Sequence, residues 1–303
     1  MVYIFEGIIQ SEKIKTNEPM AEHTTFRAGG TADFFLVPDN SQELALLISA
    51  CKKSEIPWFV LGNGSNVLVK DGGFRGAIIS TKNLNSIELI DEYRIRAGCG
   101  AVLSKIANFA LDNDLSGLEF ASGIPGTVGG AVFMNAGAYN REIKNSFENA
   151  EVLVVDQKSS DVSAVTMTND EMDFSYRYSI LQKSGAIVSE VVLCLVKSNY
   201  VEIKDRMIEI NRQRAEKQPL DLPSAGSAFK RPLDNFAGKL IMDSGLSGFT
   251  VGGAQISEKH CGFIVNRGDA TANDILSVVE QVQDVVFEKF GVALEPEFRI
   301  IGE

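Results

Sequence analysis

The amino-acid sequence predicts an α+β protein that folds as two or three compact units rather than one. Its 303 residues are 45% hydrophobic and include only 8 prolines, which is enough for a large core, and chains of this length usually divide into domains. Short apolar runs typical of strands alternate with segments whose apolar residues recur at helical spacing. Two glycine-rich segments, residues 61–66 and 123–137, interrupt this alternation. Together these features predict small α/β units whose turns expose backbone.

The composition excludes several classes of partner. The net charge of −11 and the pI of about 4.9 argue against binding to nucleic acid or to an anionic membrane, which needs clustered Lys and Arg. No apolar run has the length of a membrane span, and the first residues are too short and too soon charged for a signal peptide. Four widely spaced cysteines form no CxxC pair, which is typical of reduced thiols. We therefore expect a cytoplasmic protein.

The first unit is predicted from five segments. They are a polar helix or arm at residues 1–22, a strand at 31–37, a helix at 42–54, and strands at 58–61 and 76–80. The helix follows Pro38–Ser41, which offers turn and N-cap chemistry, and its apolar residues fall on one face.

The second unit is predicted to follow the same plan. Its segments are strands around 86–97, a helix at 101–113, the loop at 123–137, and strands at 151–156 and 187–195.

The last part of the chain reads as a smaller domain. A charged helix at 201–217 ends at Gln218-Pro219, because the residue before a proline disfavours helix. A second helix at 273–290 is preceded by Thr271 and Asp274, which resemble a capping box. A strand at 297–301 closes the chain.

The two glycine-rich segments are the strongest sign of function. Five of the fifteen residues at 123–137 are glycine, and glycine lets a backbone lie directly against a ligand because it has no Cβ. A turn of bare amides cradles anions, so two such turns suggest a dinucleotide with a pyrophosphate. Residues 62–66 match neither the Rossmann fingerprint, since Val67 stands at the third glycine position, nor a Walker loop.

Two further side chains are ambiguous on sequence alone. Arg177 lies between two tyrosines, where it either stacks on a surface strand, which the spacing favours, or presents its fork to a carboxylate. Ser227 follows a glycine, but Phe229 breaks the G-x-S-x-G pattern. With only two histidines in the chain, a nucleophilic serine and a histidine-based metal site are both disfavoured. Ser227 can still be interpreted either as a proton donor or as a structural serine in a turn.

Taken in order, the motifs resemble one family. They are Thr24–Gly30, Gly62–Asn66, Gly123–Ala131, Asn135–Ala138, Tyr176–Arg177, Lys217–Pro219, Ala225–Ser227 and Leu294–Glu297. The chain is similar, from about residue 20 to its end, to the UDP-N-acetylenolpyruvoylglucosamine reductases, flavoenzymes of peptidoglycan precursor synthesis. The segment between Tyr200 and Ser227 is short, as in the shorter subtype of that family.

The resemblance implies a fold, an activity and ligands. The fold would be an FAD-binding region of the vanillyl-alcohol-oxidase type, with subdomains at 1–80 and 81–200, followed by a C-terminal α/β substrate-binding domain at 201–303. The activity would be flavin-dependent reduction of UDP-N-acetylglucosamine enolpyruvate to UDP-N-acetylmuramate with NADPH. A monomer or weak dimer is expected, with FAD and NADPH as cofactors and no metal, nucleic acid or membrane partner.

The resemblance also implies residue roles. Arg177 and Glu297 would stabilise the enolate that forms when hydride reaches C3 of the enolpyruvyl group, and Ser227 would protonate C2. The cofactor-binding residues would be Arg27, Gly62, Asn63, Gly64, Ser65, Asn66, Gly123, Ile124, Pro125, Gly126, Thr127, Gly129, Gly130, Ala131, Asn135, Gly137, Val188 and Arg214. The residues meeting the UDP diphosphate or the nicotinamide nucleotide would be Lys230, Arg231, Gln255 and His260.

Two other functions stay open at this point. One is a flavin oxidase of the same fold that acts on a sugar or hydroxy acid, although such enzymes often attach the flavin through a His or Cys that is missing beside the first glycine-rich turn. The other is a non-catalytic UDP-sugar binding module, which would not need both glycine-rich segments.

Overall fold

The computed structural model describes residues 2–156 and 158–303. Within them the α-helices are α1 (Tyr3–Glu6), α2 (Ser41–Lys53), α3 (Leu103–Asp112), α4 (Val128–Met134), α5 (Leu181–Ser184), α6 (Tyr200–Lys217), α7 (Ala237–Asp243) and α8 (Ala272–Phe290). None of these helices is long and apolar enough to cross a membrane.

The strands in the described residues are numbered in chain order. They are β1 (Ile14–Pro19), β2 (Thr31–Leu36), β3 (Trp58–Leu61), β4 (Val67–Val69), β5 (Phe74–Ser80), β6 (Ile87–Leu89), β7 (Arg94–Gly98), β8 (Leu115–Ser116), β9 (Gly137–Ala138), β10 (Arg141–Glu142), β11 (Phe147–Val155), β12 (Val162–Thr168), β13 (Ile187–Cys194), β14 (Val196–Lys197), β15 (Thr250–Val251), β16 (Ala254–Ile256), β17 (Ile264–Asn266) and β18 (Arg299–Ile301).

Three sheets, one short parallel pair and two short antiparallel pairs, β9-β10 and β8-β14, organise these strands. A four-stranded sheet has the order β1-β2-β5-β3, a five-stranded sheet β12-β11-β13-β7-β6, and a three-stranded sheet β15-β16-β17. The five-stranded sheet is antiparallel throughout, whereas β3 runs parallel to β5. The last strand, β18, pairs in parallel with β4.

The chain forms two compact units. The first unit holds residues up to Thr16 together with Phe34–Asn63 and Gly76–Arg212. Its core packs α2 and α4 against the five-stranded sheet and also includes the apolar face of α3, with fully buried residues such as Leu47 and Ile106.

The second unit holds Asn17–Asp33, Gly64–Arg75 and Gln213–Glu303. Its core combines the apolar face of α8 with α7 and the three-stranded sheet. Phe26 and Phe298 belong to the same core and meet edge to face with ring centroids 5.2 Å apart. The division into 1–80, 81–200 and 201–303 stays a prediction.

Strong local signals predicted the long helices correctly. Helices α2, α3, α6 and α8 begin and end within two residues of the predicted bounds. The side chain of Asn40 accepts a hydrogen bond from the Glu43 backbone N–H at 2.8 Å and begins α2. The capping box at α8 is also confirmed, because Thr271 and Asp274 exchange two backbone-to-side-chain bonds of 3.0 Å.

Two local predictions were wrong. Residues 14–19 form strand β1 rather than a helix or arm; its side chains are mostly polar and exposed, so no apolar alternation marked it. Residues 128–134 form helix α4 rather than loop. The adjacent Gly129 and Gly130 lower helix propensity, so the sequence did not indicate a helix there. Gly129 is needed there because a Cβ would lie 2.8 Å from the Cys99 Cβ.

Candidate active site

The turn at Gly62–Asn66 has a backbone that only glycine can supply at its centre. Gly64 has a left-handed φ of +62°, and a Cβ on it would lie 2.0 Å from the His23 carbonyl oxygen. The Gly64 carbonyl accepts a hydrogen bond from the Thr25 backbone N–H at 3.2 Å. The turn is therefore pressed against the backbone of residues 23–25.

The same turn offers unused hydrogen-bond donors. In the described ranges, no protein group accepts a hydrogen bond from the backbone N–H of Asn63, Gly64 or Ser65. Successive amides without a protein acceptor form a concave site for an anion such as a phosphate. The backbone therefore fits the pyrophosphate of a dinucleotide.

The second glycine-rich segment contacts the beginning of this turn in the first unit. A Cβ on Gly62 would lie 2.4 Å from Thr127 Oγ1, and the Asn63 side-chain amide donates to the Pro125 carbonyl oxygen. Two backbone bonds, from Val128 to Ala101 at 2.8 Å and from Leu103 to Gly126 at 3.0 Å, anchor the segment. Two segments more than fifty residues apart in the chain thus meet as the dinucleotide hypothesis requires.

Arg177 lies in a tight turn, not in a strand. Its φ is +55°, a left-handed conformation that is uncommon for a residue with a Cβ. The Gln182 side-chain amide donates to the Arg177 carbonyl at 2.9 Å, and the Asn135 amide donates to the Ser175 carbonyl at 2.9 Å. The guanidinium donates to the Gly137 carbonyl at 3.3 Å and stacks 5.2 Å from the centre of the Tyr176 ring.

Two of the residues predicted to hold the cofactor, a role that stays a prediction, take part in this arrangement. Asn135 is fully buried, ends α4 in a left-handed conformation, and also accepts from the Lys144 backbone N–H at 3.3 Å. Gly137 begins β9 beside it and receives the Arg177 guanidinium. Both residues therefore fix the Arg177 turn, and the strained backbone is held by side-chain hydrogen bonds.

The backbone segments that carry Ser227 and Glu297 are hydrogen-bonded to each other in the second unit. The Ala228 N–H donates to the Gly262 carbonyl at 2.8 Å, and the Glu297 N–H donates to the Ala228 carbonyl at 2.9 Å. Residues 227–230 thus lie between residues 262–263 and 295–297, with bridges at Ser227–Phe263 and Phe229–Pro296. The Ser227 side chain is exposed and Glu297 is half-buried. A residue with a hydroxyl group and a residue with a carboxyl group therefore lie on adjoining backbone segments.

Comparison with known proteins decides the family. Residues 218–301 match the model described as UDP-N-acetylenolpyruvoylglucosamine reductase, C-terminal domain, and residues 32–158 match an FAD binding domain. A UDP-N-acetylenolpyruvoylglucosamine reductase of Caldanaerobacter subterraneus subsp. tengcongensis is 51% identical over 98% of this chain and 96% of its own length.

A relative of the same name from Clostridium botulinum is 49% identical over 99% of this chain and 96% of its own length. The chain belongs to the UDP-N-acetylenolpyruvoylglucosamine reductase family. The crystal structure of UDP-N-acetylenolpyruvylglucosamine reductase from Thermus caldophilus, 36% identical, superposes with a TM-score of 0.79 over 93% of this chain and 97% of that one.

Membership of the UDP-N-acetylenolpyruvoylglucosamine reductase family confirms the predicted class. The chain is an FAD-binding oxidoreductase of α+β fold, with an FAD-binding region followed by the C-terminal domain of this family. Its length fits the shorter subtype. The amides of residues 63–65 and the close approach of the two glycine-rich segments fit the pyrophosphate of FAD, and the binding of FAD by Gly62–Asn66 and Gly123–Ala131 stays a prediction.

The remaining predicted cofactor residues occupy varied positions. Arg27 is exposed with a left-handed φ of +53°, and its carbonyl accepts from Asn266 at 3.4 Å. Val188 is buried in β13 opposite Val152, and Arg214 lies in the last turn of α6. Their roles toward the cofactor of a family reductase stay predictions.

The four residues predicted to meet the sugar nucleotide of the reductase all lie in the second unit. Lys230 is paired with Glu295, and the Arg231 guanidinium stacks 4.1 Å from the centre of the Phe236 ring. The Gln255 amide donates to Thr250 Oγ1 at 3.0 Å. Burial lowers the pKa of His260, whose Nδ1 accepts the Gly262 N–H at 3.1 Å.

Sequence reasoning missed two groups that the structure places beside the reductase residues. Gln182 braces the Arg177 turn, and the Phe26–Phe298 contact packs directly after Glu297. Glu18, Glu22 and His23 also gather ligand atoms within 4.8 Å of one another. His23 Nε2 already lies 2.8 Å from Glu18 Oε1, and exposed acidic groups commonly gather in this way without an ion.

Proposed function

We propose that this protein reduces UDP-N-acetylglucosamine enolpyruvate to UDP-N-acetylmuramate with NADPH, as a step in the synthesis of peptidoglycan precursors. The observation that carries the proposal is the placement of Ser227 and Glu297 on adjoining backbone segments joined by the Glu297–Ala228 bond of 2.9 Å. Family membership at 51% identity supports the substrate, and the FAD-binding domain supports the cofactor.

The glycine-rich turns bind and orient the cofactor. FAD, when bound, supplies the hydride chemistry, because it can be reduced by a nicotinamide and can then reduce a polarised double bond. The amides of Asn63, Gly64 and Ser65 would donate to its pyrophosphate. The backbone supplies these donors in fixed positions, so little reorganisation is needed on binding.

Ser227 is proposed to protonate C2 of the enolpyruvyl group. Hydride addition at C3 leaves carbanion-like charge at C2, which a serine hydroxyl can protonate although it is a weak acid. The backbone of Ser227 is fixed by its bridge to Phe263, and its side chain is exposed. The hydroxyl is therefore accessible to a substrate while its Cα is held.

Arg177 and Glu297 are proposed to stabilise the charge that develops on the substrate carboxylate. A guanidinium pairs with a carboxylate through two parallel N–H bonds, and the Arg177 turn is braced by Gln182 and Asn135. Glu297 would donate to the enolate from a backbone held by Ala228. Preorganised donors aimed at developing charge are usually the largest catalytic contribution.

Lys230, Arg231, Gln255 and His260 are proposed to receive the diphosphate of the sugar nucleotide or the nicotinamide nucleotide. The cations at positions 230 and 231 are engaged with Glu295 and Phe236. Exposed ion pairs contribute little, about 0–1 kcal/mol, so a diphosphate can displace Glu295 from Lys230 at small cost.

An anaerobic absorbance titration tests the proposal. Flavin absorbance should be bleached by NADPH and restored only when the enolpyruvyl sugar nucleotide is added. Ser227→Ala should retain the bleaching step and lose the restoring step, while the exposed Ser163→Ala in β12 should retain both. Flavin that oxygen reoxidises but the sugar nucleotide does not would favour an oxidase, and a protein that binds no flavin would favour a UDP-sugar binding module.

A further inference from the structure

Asn66 joins the cofactor turn to the segment that carries Glu297. Its side-chain Nδ2 donates to the Glu297 carbonyl oxygen at 3.2 Å, and its own carbonyl accepts the Arg299 N–H at 2.9 Å. Glu297 and Arg299 are the chain neighbours of the buried Phe298, so Asn66 is hydrogen-bonded to the residue on each side of it. All of these residues belong to the second unit.

The strands that follow continue this connection. Directly after Asn66, β4 runs parallel to β18 with Val67 opposite Arg299 and Val69 opposite Ile301. Phe298 is 4% exposed and its ring packs against Phe26, 5.2 Å away. The chain after Glu297 is therefore held by the pairing of β18 with β4, the strand that follows the turn, and by the packing of Phe298 against Phe26.

The other flank of Glu297 is tied to the serine segment. The Glu297 N–H donates to the Ala228 carbonyl at 2.9 Å, so the backbone of Glu297 is bound to Ala228 through its N–H and to Asn66 through its carbonyl. A movement of the Gly62–Asn66 turn would therefore move the Glu297 peptide through the hydrogen bond from the Asn66 side chain. The amides of Asn63, Gly64 and Ser65, which lack acceptors in the described chain, are where a bound anion would order that turn.

We infer that Asn66 is a positioning residue that couples occupation of the Gly62–Asn66 turn by a pyrophosphate-bearing flavin to the placement of Glu297. Ordering of the turn by the cofactor fixes the Asn66 amide, and that amide fixes the peptide of Glu297. The catalytic consequence rests on the proposed function, because Glu297 matters to the rate only if the protein reduces the enolpyruvyl group. The coupling itself does not rest on it.

Hydrogen–deuterium exchange of the full chain tests the coupling without activity. Peptides covering residues 295–301 should exchange about tenfold more slowly when FAD is bound, since a hydrogen bond of this kind is worth up to that factor. Asn66→Ala should reduce the protection to less than about twofold at FAD concentrations that saturate it by visible absorbance. Asn85→Ala removes an equivalent amide-to-carbonyl bond, to Lys82 at 2.8 Å, and should keep the full protection.

Asn66→Asp provides a second variant of nearly unchanged shape. An ionised carboxylate cannot donate to the Glu297 carbonyl, whereas a protonated one can, so the protection should return in this variant as the pH falls but not in Asn66→Ala. Full protection of residues 295–301 in both variants, or no protection by FAD in the unmodified protein, would overturn the inference.

The two half-reactions provide the functional readout. In Asn66→Ala saturated with FAD, the limiting rate of reoxidation by the enolpyruvyl sugar nucleotide should fall at least about tenfold more than the rate of reduction by NADPH. Equal slowing of both steps would contradict the inference. If the unmodified protein is not reoxidised by the sugar nucleotide, the proposed function fails, and the exchange experiment still decides whether Asn66 couples the turn to residue 297.

Discussion

Substitution of Gly64 by alanine perturbs the centre of the cofactor turn with the smallest possible change. The added Cβ would lie 2.0 Å from the His23 carbonyl oxygen and 2.9 Å from the Thr24 Cα. Real Cβ atoms essentially never come within 3.0 Å of another heavy atom, so the turn and the backbone of residues 23–24 must separate. That separation strains the Thr25–Gly64 hydrogen bond of 3.2 Å.

The expected cost has two contributions. A left-handed conformation costs a residue with a Cβ about 1–2 kcal/mol, and the loss of a backbone hydrogen bond costs about 0.5–1.5 kcal/mol. We therefore expect Gly64→Ala to lower the free energy of unfolding by about 1.5–3.5 kcal/mol. We also expect at least about tenfold weaker FAD binding, which corresponds to about 1.4 kcal/mol, because the amides of the turn are displaced.

Gly185 offers a matched control. Its φ is +72°, close to that of Gly64, but nothing lies within 4 Å of a Cβ built on it. Gly185→Ala should therefore show only the conformational cost of about 1–2 kcal/mol and unchanged FAD affinity. Trp58, the single tryptophan, lies in β3 directly before the turn and reports urea unfolding by fluorescence. The reasoning is refuted if Gly64→Ala costs no more than Gly185→Ala and binds FAD as tightly as the unmodified protein.

Three more outcomes are expected. Cys194 is exposed whereas the other cysteines are buried, and burial raises the pKa of Cys51 and Cys99 to about 12. One thiol should therefore react quickly with an aromatic disulfide, and Cys194→Ser should abolish this fast reaction. A second fast-reacting thiol would argue against the structure. Burial lowers the pKa of His260 below its ordinary value of 6.5, so the folded protein binds a proton on His260 less readily than the unfolded chain does, and the protein loses stability as the pH falls below 6.5. The urea midpoint of His260→Gln should therefore decline less on acidification than that of the unmodified protein. Equal declines would contradict this prediction. Arg177→Lys keeps the positive charge but loses the paired N–H donors of the guanidinium, and it should slow reoxidation by the sugar nucleotide about a hundredfold without slowing flavin reduction. A reoxidation rate within about twofold of that of the unmodified protein would remove Arg177 from the proposed site.

The sequence predicted elements whose signals are local. Asn40 three residues before Glu43, and Thr271 three residues before Asp274, are capping patterns that can be read from spacing, and the structure has both sets of bonds. The glycine-rich turn at Gly62–Asn66 was also predicted, because glycine is needed where backbones nearly touch, as Gly64 does against His23.

Contacts between distant segments had no such signal. Strands β4 and β18 have three residues each and lie more than two hundred positions apart, too short for an alternating pattern to register. The bond from Asn66 to Glu297 spans 231 positions. The left-handed conformation of Arg177 depends on Asn135 and Gln182, which no periodicity connects to it. The resemblance named Arg177, Ser227 and Glu297, but only the structure shows which side chains brace them.

The fate of the transferred hydrogens tests the central claim most directly. NADPH carrying deuterium at its transferable position and, separately, unlabelled NADPH in deuterium oxide should each give a product that NMR can read. The proposed roles predict that solvent deuterium appears at C2, that any nucleotide deuterium in the product lies only in the methyl group at C3, and that Ser227→Ala forms this product at least about a hundredfold more slowly. Nucleotide deuterium at C2, or formation of the product by Ser227→Ala at the rate of the unmodified protein, would contradict them.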